Sequence, residues 1–265
     1  MEICLLDSIK RYMMYECMIE DLIYRVKRRW MKLRLQPIRV YCIHHVSEQY
    51  DPLTMWECDW LQMEKFKYAI IQMKAKGVRF ISLPEAHEKL RNDRLRCDKY
   101  AVLTADDGYK SILNLLPWLE EQQIPITLFV NTKYLDGKSW SAINEEQARR
   151  AKPDVDILKD VCPKLYLSQE ELKQVAALSN VTIGMHGHEH LDARKQTIEE
   201  FKMNVERCQS ALKDVPHTIP YLAYTWGRHN AEKDRVLQEM GLIPVLISGT
   251  WNYNNTNYID RELLQ

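Results

Sequence analysis

From residue 37 to about residue 247 the sequence alternates short runs rich in β-branched and aromatic residues with longer amphipathic stretches. Strands are expected at 38–43, 101–104, 126–130, 181–183, 221–224 and 242–247, the last weakened by Pro244. Helices are expected at 60–76, 111–122, 169–178, 197–213 and 230–240, the second kinked at Pro117. Such β/α alternation implies a mainly parallel sheet wrapped by helices, either open or closed into a barrel, with reactive groups at the carboxyl ends of the strands. There is no internal repeat or low-complexity linker, so residues 37–265 are read as one domain. Ahead of it, residues 1–36 read as a helical extension, with a helix over 7–36 that ends at Pro37. Its basic face, which includes Arg25, Lys27, Arg28 and Arg29, is compatible with peripheral contact with an anionic membrane, although packing on its own domain is the commoner use of such a helix.

Composition narrows the function classes. Lys plus Arg and Asp plus Glu both total 37, so no overall field favours a polyanion, and nucleic-acid binding is not expected. The longest apolar runs, such as 242–247 and 128–130, fall far short of the roughly 20 residues that span a bilayer. Seven scattered cysteines without a Cys-x-x-Cys pair argue against a disulfide framework and a zinc knuckle, and favour a reducing compartment. The opening Met1-Glu2-Ile3-Cys4-Leu5-Leu6-Asp7 does not read as a secretory signal. The expected location is therefore cytoplasmic, at the inner membrane face if the basic helix docks there.

Two polar clusters follow expected strands. The run 101–104 leads into Ala105-Asp106-Asp107-Gly108-Tyr109, which puts two carboxylates at a strand end. The plain account of this cluster is an Asp-Gly turn beside a helix cap. The run 181–183 leads through Gly184-Met185 into His186-Gly187-His188-Glu189-His190, which holds three of the eight histidines. His186 and His190 are four residues apart, so a helical turn would aim both at one point; an extended backbone would let His188 replace either. Two imidazoles and one carboxylate leave open positions on a divalent cation for water and a substrate oxygen, and a second carboxylate can then take a proton from that water. Hydrolysis is the natural outcome.

With these clusters the sequence resembles the polysaccharide deacetylases, the NodB-homology or carbohydrate esterase family 4 domain. Their Thr-Phe-Asp-Asp-Gly motif is similar to Thr104-Ala105-Asp106-Asp107-Gly108, and their His-Ser/Thr-x-x-His motif resembles His186–His190. Ile124-Pro125-Ile126-Thr127-Leu128-Phe129-Val130 is similar to the family's Ile-Pro-Ala-Thr-Phe-Phe-Val strand, and the resemblance runs in order over residues 37–250. It implies a distorted (β/α) barrel and a metal-dependent hydrolase that removes N-acetyl, or O-acetyl, groups from an amino-sugar-containing glycan or glycan precursor. It makes Asp106 the general base, and Asp107, His186 and His190 the ligands of one divalent metal ion, with His188 a bystander. Zinc is the first choice of metal; cobalt, nickel and iron(II) also suit the donor set.

The third family motif, Arg-x-Pro-Tyr-Gly, falls on Ala223-Tyr224-Thr225-Trp226-Gly227, so the arginine that usually holds the base is replaced by Ala223. The branch typified by poly-N-acetylglucosamine deacetylases has Tyr-Pro-Tyr-Gly here and is the closer likeness. By that resemblance the backbone N–H of Trp226 donates to the oxyanion. The family's C-terminal Leu-x-His is absent, and Ile43-His44-His45-Val46-Ser47 resembles the segment that supplies the general acid in the same branch. His44 is the expected acid and His45 the alternative. Trp140, Trp226, Trp251 and Tyr253 are the candidate sugar-stacking residues. Two rivals remain. One is a binuclear hydrolase, suggested by the His-x-His-x-His spacing; the other is a catalytically silent carbohydrate-binding domain, suggested by Ala105 and the altered third motif.

Overall fold

The computed structural model describes residues 36–50, 59–93, 96–139 and 162–264. The expected N-terminal helix and Trp140 lie outside them. An eight-stranded sheet runs in the order β10 (Glu262–Leu263), β1 (Ile38–Ile43), β5 (Lys99–Ala105), β6 (Ile126–Val130), β7 (Val181–Met185), β8 (Thr218–Ala223) and β9 (Ile243–Val245); β4 (Val78–Phe80) pairs with the start of β5. Every pairing in it is parallel. The C-terminal segment links the two edges: Ile259 bridges Val245 of β9, and three residues later Glu262 pairs with Tyr41 of β1. The expected distorted barrel is therefore present, its seam formed by one short irregular segment.

Period-two alternation divides each strand between two cores. On β5, Ala101, Leu103 and Ala105 face the helices, whereas Tyr100 and Val102 join Ile38, Val40, Phe129 and Ala223 in the barrel interior. The helix layer comprises α1 (Met63–Ala75), α2 (Leu83–Asn92), α3 (Leu116–Glu121), α4 (Gln169–Ala176), α5 (Ile198–Leu212) and α6 (Ala231–Glu239). Capping boxes start α4 at Ser168/Glu171 and α5 at Thr197/Glu200. Helix α2 instead packs Leu83, Ala86 and Leu90 into the interior cluster, beside the amino-terminal ends of the strands.

The structure corrects the sequence reading in several places. The helix expected from 60 begins at Met63, because 60–62 forms β3 (Trp60–Gln62), paired in parallel with β2 (His45–Ser47). The helix expected over 111–122 is split into a 3-10 turn at Lys110–Asn114 and α3, with Pro117 in the first turn of α3, where its missing N–H costs nothing. Strand β4 and helix α2 were not expected at all. Pro244 is accommodated in β9, where its carbonyl accepts from the Ile259 N–H at 3.0 Å. No helix among the described residues is long and apolar enough to cross a membrane.

Candidate active site and metal centre

Because β5 alternates, Asp106 follows Val102 and Thr104 onto the interior face, just past the strand's carboxyl end. The chain then turns sharply, with Asp107 at φ 67° and Gly108 at φ 75°, and a side chain on Gly108 would come within 3.1 Å of Val130 Cγ1. The Asp-Gly turn is thus real, and it brings the Asp107 carboxylate to the histidines. Interior alternation on β7 carries Gly184, whose Cβ would collide with the Phe129 ring, to His186 directly beyond the strand.

Asp107 Oδ1 lies 3.2 Å from Nε2 of both His186 and His190. These three groups offer ligand atoms within 4.8 Å of one another, with the side chains nearly buried. His186 Nδ1 donates to the Ala223 carbonyl at 2.8 Å, so Nε2 is the ring atom turned towards Asp107 and the one able to ligate a cation once deprotonated. Buried Asp107 Oδ1 has no hydrogen-bond partner. Burial opposes the charge on Asp107, but His190 and His186 hold its carboxyl well below the ordinary range. The donor set of two neutral imidazoles and one carboxylate fits a divalent metal. His188 turns away, with Nδ1 2.9 Å from Thr132 Oγ1.

Asp106 is held from a direction the sequence did not announce. Arg261, fully buried, donates from Nη1 to Asp106 Oδ1 at 2.6 Å and from Nη2 to Oδ2 at 2.8 Å. Its other donors reach the Leu246 carbonyl and Thr104 Oγ1, and its guanidinium lies over the Phe129 ring. Burial raises the cost of charge on Asp106, yet Arg261 and then His186 keep its carboxyl below the ordinary range. The guanidinium missing at Ala223 is thus supplied by the barrel seam. In sequence Arg261 sits between Asp260 and Glu262, and nothing local marks it as the partner of Asp106.

A cleft of about 630 Å³ opens over these carboxylates. His44 lines it, one alternation beyond buried Cys42, and together with Cys42 and Asp106 it forms a second group of ligand-type atoms within 4.8 Å. His45 does not line the cleft; it is buried against Tyr109, ring centroids 3.7 Å apart. Trp226 also lines the cleft, in a turn at φ 53°, its ring edge-on to His190 at 4.5 Å. Trp251 and Tyr253 do not. Trp251 meets Arg39, Tyr253 O accepts from Arg96, and their neighbour Asn252 bridges Ile38 at the start of β1, roughly 16 Å of strand from the site.

The fold is similar to that of IcaB from Ammonifex degensii, at 19% identity over 88% of this chain and 93% of that one, with a TM-score of 0.68. The Streptococcus pyogenes deacetylase PplD, solved in complex with acetate, matches at 18% identity over 87% and 92%, TM-score 0.64. A de-N-acetylase from Aggregatibacter actinomycetemcomitans matches at 14% identity over 87% and 95%, TM-score 0.65. No curated protein matches significantly by sequence. The model of the polysaccharide deacetylase family matches residues 93–245, more than half of the chain and both polar clusters. This chain belongs to the polysaccharide deacetylase family.

Proposed function

We propose that the catalytic domain, residues 37–265, removes N-acetyl groups from an amino-sugar-containing glycan or glycan precursor, with one divalent cation, zinc first, held by Asp107, His186 and His190. The observation that carries this reading is the convergence of those three side chains beside an independently charge-compensated Asp106. When bound, such a cation supplies Lewis-acid polarisation of an acyl oxygen and acidifies water. Asp106, kept ionised by Arg261, accepts the proton of the attacking water. Its two oxygens are fixed by the guanidinium, so the base does not have to be oriented during the reaction. The Trp226 N–H is assigned to the developing oxyanion, and His44 to protonation of the departing amine. His44 suits that role better than His45, because it lines the cleft while His45 is packed on Tyr109.

A glycan precursor at the inner membrane face remains the proposed setting, tested by fractionating cells that express the native chain. The catalytic test is acetate release from N-acetylglucosamine oligomers by zinc-loaded protein and its Asp106→Asn variant. Loss of a general base predicts a roughly 10²–10⁴-fold fall in rate. Equal release from both proteins would return the chain to the silent carbohydrate-binding reading.

A further inference from the structure

Arg228 is a cationic lining residue of the cleft that the proposed chemistry does not use. It follows Trp226 and Gly227, its guanidinium carbon is 5.1 Å from the Trp226 ring centroid, and that ring abuts His190. The guanidinium therefore lies one indole away from the candidate metal centre. Its only ion-pair partner among the described residues is Asp192, at 3.3 Å. Both Asp192 oxygens already accept from Arg194, at 3.2 and 3.1 Å. One carboxylate thus serves two guanidiniums, leaving a net positive charge, and the Arg228 side chain remains 46% exposed.

Among the described residues, no carboxylate other than Asp192 pairs with Arg228. Asp106 is compensated by Arg261 and Asp107 faces the two imidazoles, while the ion pair of Arg228 goes to Asp192 and not to Asp59, the remaining acidic residue that lines the cleft. A neutral acetylated polymer would offer Arg228 no charged partner. A planar guanidinium with unused N–H donors is suited to a two-oxygen anion. We propose that Arg228 makes the cleft select acetamido sugars that carry an acidic group, a phosphate ester or a carboxylate, next to the ring being deacetylated. The proposal rests on the deacetylase reading for the position of the sugar.

The test compares a neutral N-acetylglucosamine disaccharide, N-acetylglucosamine 1-phosphate and a disaccharide of N-acetylglucosamine with glucuronic acid. Specificity is read as the acidic-to-neutral ratio of kcat/KM, and independently as the ratio of dissociation constants on zinc-loaded protein. Wild type is expected to favour at least one acidic probe by about tenfold or more at low salt, the preference shrinking as salt is added. Arg228→Gln should bring the ratio to about one, and Arg228→Lys, which keeps the charge, should retain part of it. Preference for the phosphate alone, the uronate alone or both supports the proposal and names the acid. No preference in wild type, an unchanged ratio in Arg228→Gln, or equal losses for acidic and neutral probes would overturn it. If no probe releases acetate, the deacetylase reading fails, while the binding ratio still decides the role of Arg228.

Discussion

Arg261 and Asp106 are 155 positions apart in sequence, yet they form a buried two-point ion pair at the heart of the barrel. Removing one partner of such a pair leaves an uncompensated buried charge, which costs about 3–5 kcal/mol. Arg261→Met should therefore lower Tm by roughly 6–20 °C in a domain of this size. The variant also has a kinetic signature. With Arg261 gone, the desolvation of Asp106 loses its largest counterweight, its carboxyl rises, and the acid limb of kcat/KM moves to higher pH. Unchanged Tm and an unchanged acid limb would show that the pair does not matter.

Metal should stabilise the fold as well as enable chemistry. A cation that binds only the folded state at about 100 times its Kd adds roughly 2.7 kcal/mol. Adding zinc to chelator-treated protein should raise Tm, and His190→Ala, which removes one of the three converging groups, should abolish most of the increase. An undiminished zinc shift in His190→Ala would place the ion elsewhere.

The two neighbouring histidines should separate cleanly. His44 lines the cleft, so His44→Gln is expected to lower kcat by roughly 10²–10⁴ with little effect on Tm. His45 is buried against Tyr109, so His45→Ala should lower Tm while the remaining folded enzyme keeps most of its activity. The opposite pattern would transfer the acid role to His45.

Much of this site was legible because its residues follow strands with strong β signals. Strands β1 and β6 span 38–43 and 126–130 as expected, and Asp106, His186 and Trp226 each sit just past a strand. Period two also explains why His44, and not His45, lies on the cleft side. Strands β2, β3 and β4 have three residues each and β10 has two, too few to show alternation. Two of the four aromatic stacking candidates, Trp251 and Tyr253, lie off the cleft for another reason: composition identifies Trp251 as a platform residue but says nothing of which end of the barrel its loop covers. Arg261 was missed because its burial depends on a carboxylate far away in sequence, and no local pattern records such a partner.

The capping box of α4 gives a pH-dependent contribution to stability. Burial raises the Glu171 carboxyl, but the hydrogen bond from the Ser168 N–H, the pairing with Lys110 and the Ser168 side chain together outweigh it, leaving the folded-state value depressed. The stabilisation is therefore complete above the unfolded carboxyl's range and is lost as pH falls through the lower folded value. Glu171→Gln should cost about 0.5–1 kcal/mol at pH 7, a modest figure because the pair is partly solvated. Calorimetry should find the difference between wild type and variant shrinking in acid. A difference that grew on acidification would reverse the sign.

The central claim is that one cation sits between Asp107, His186 and His190, with Asp106 left to Arg261 and the proton. Anomalous scattering at the zinc edge from crystals of the zinc-loaded protein tests this directly. A single peak within about 2.0–2.2 Å of one Asp107 oxygen and the Nε2 atoms of both histidines is expected. A peak at Cys42, His44 and Asp106 instead, or two peaks in one cleft, would contradict it.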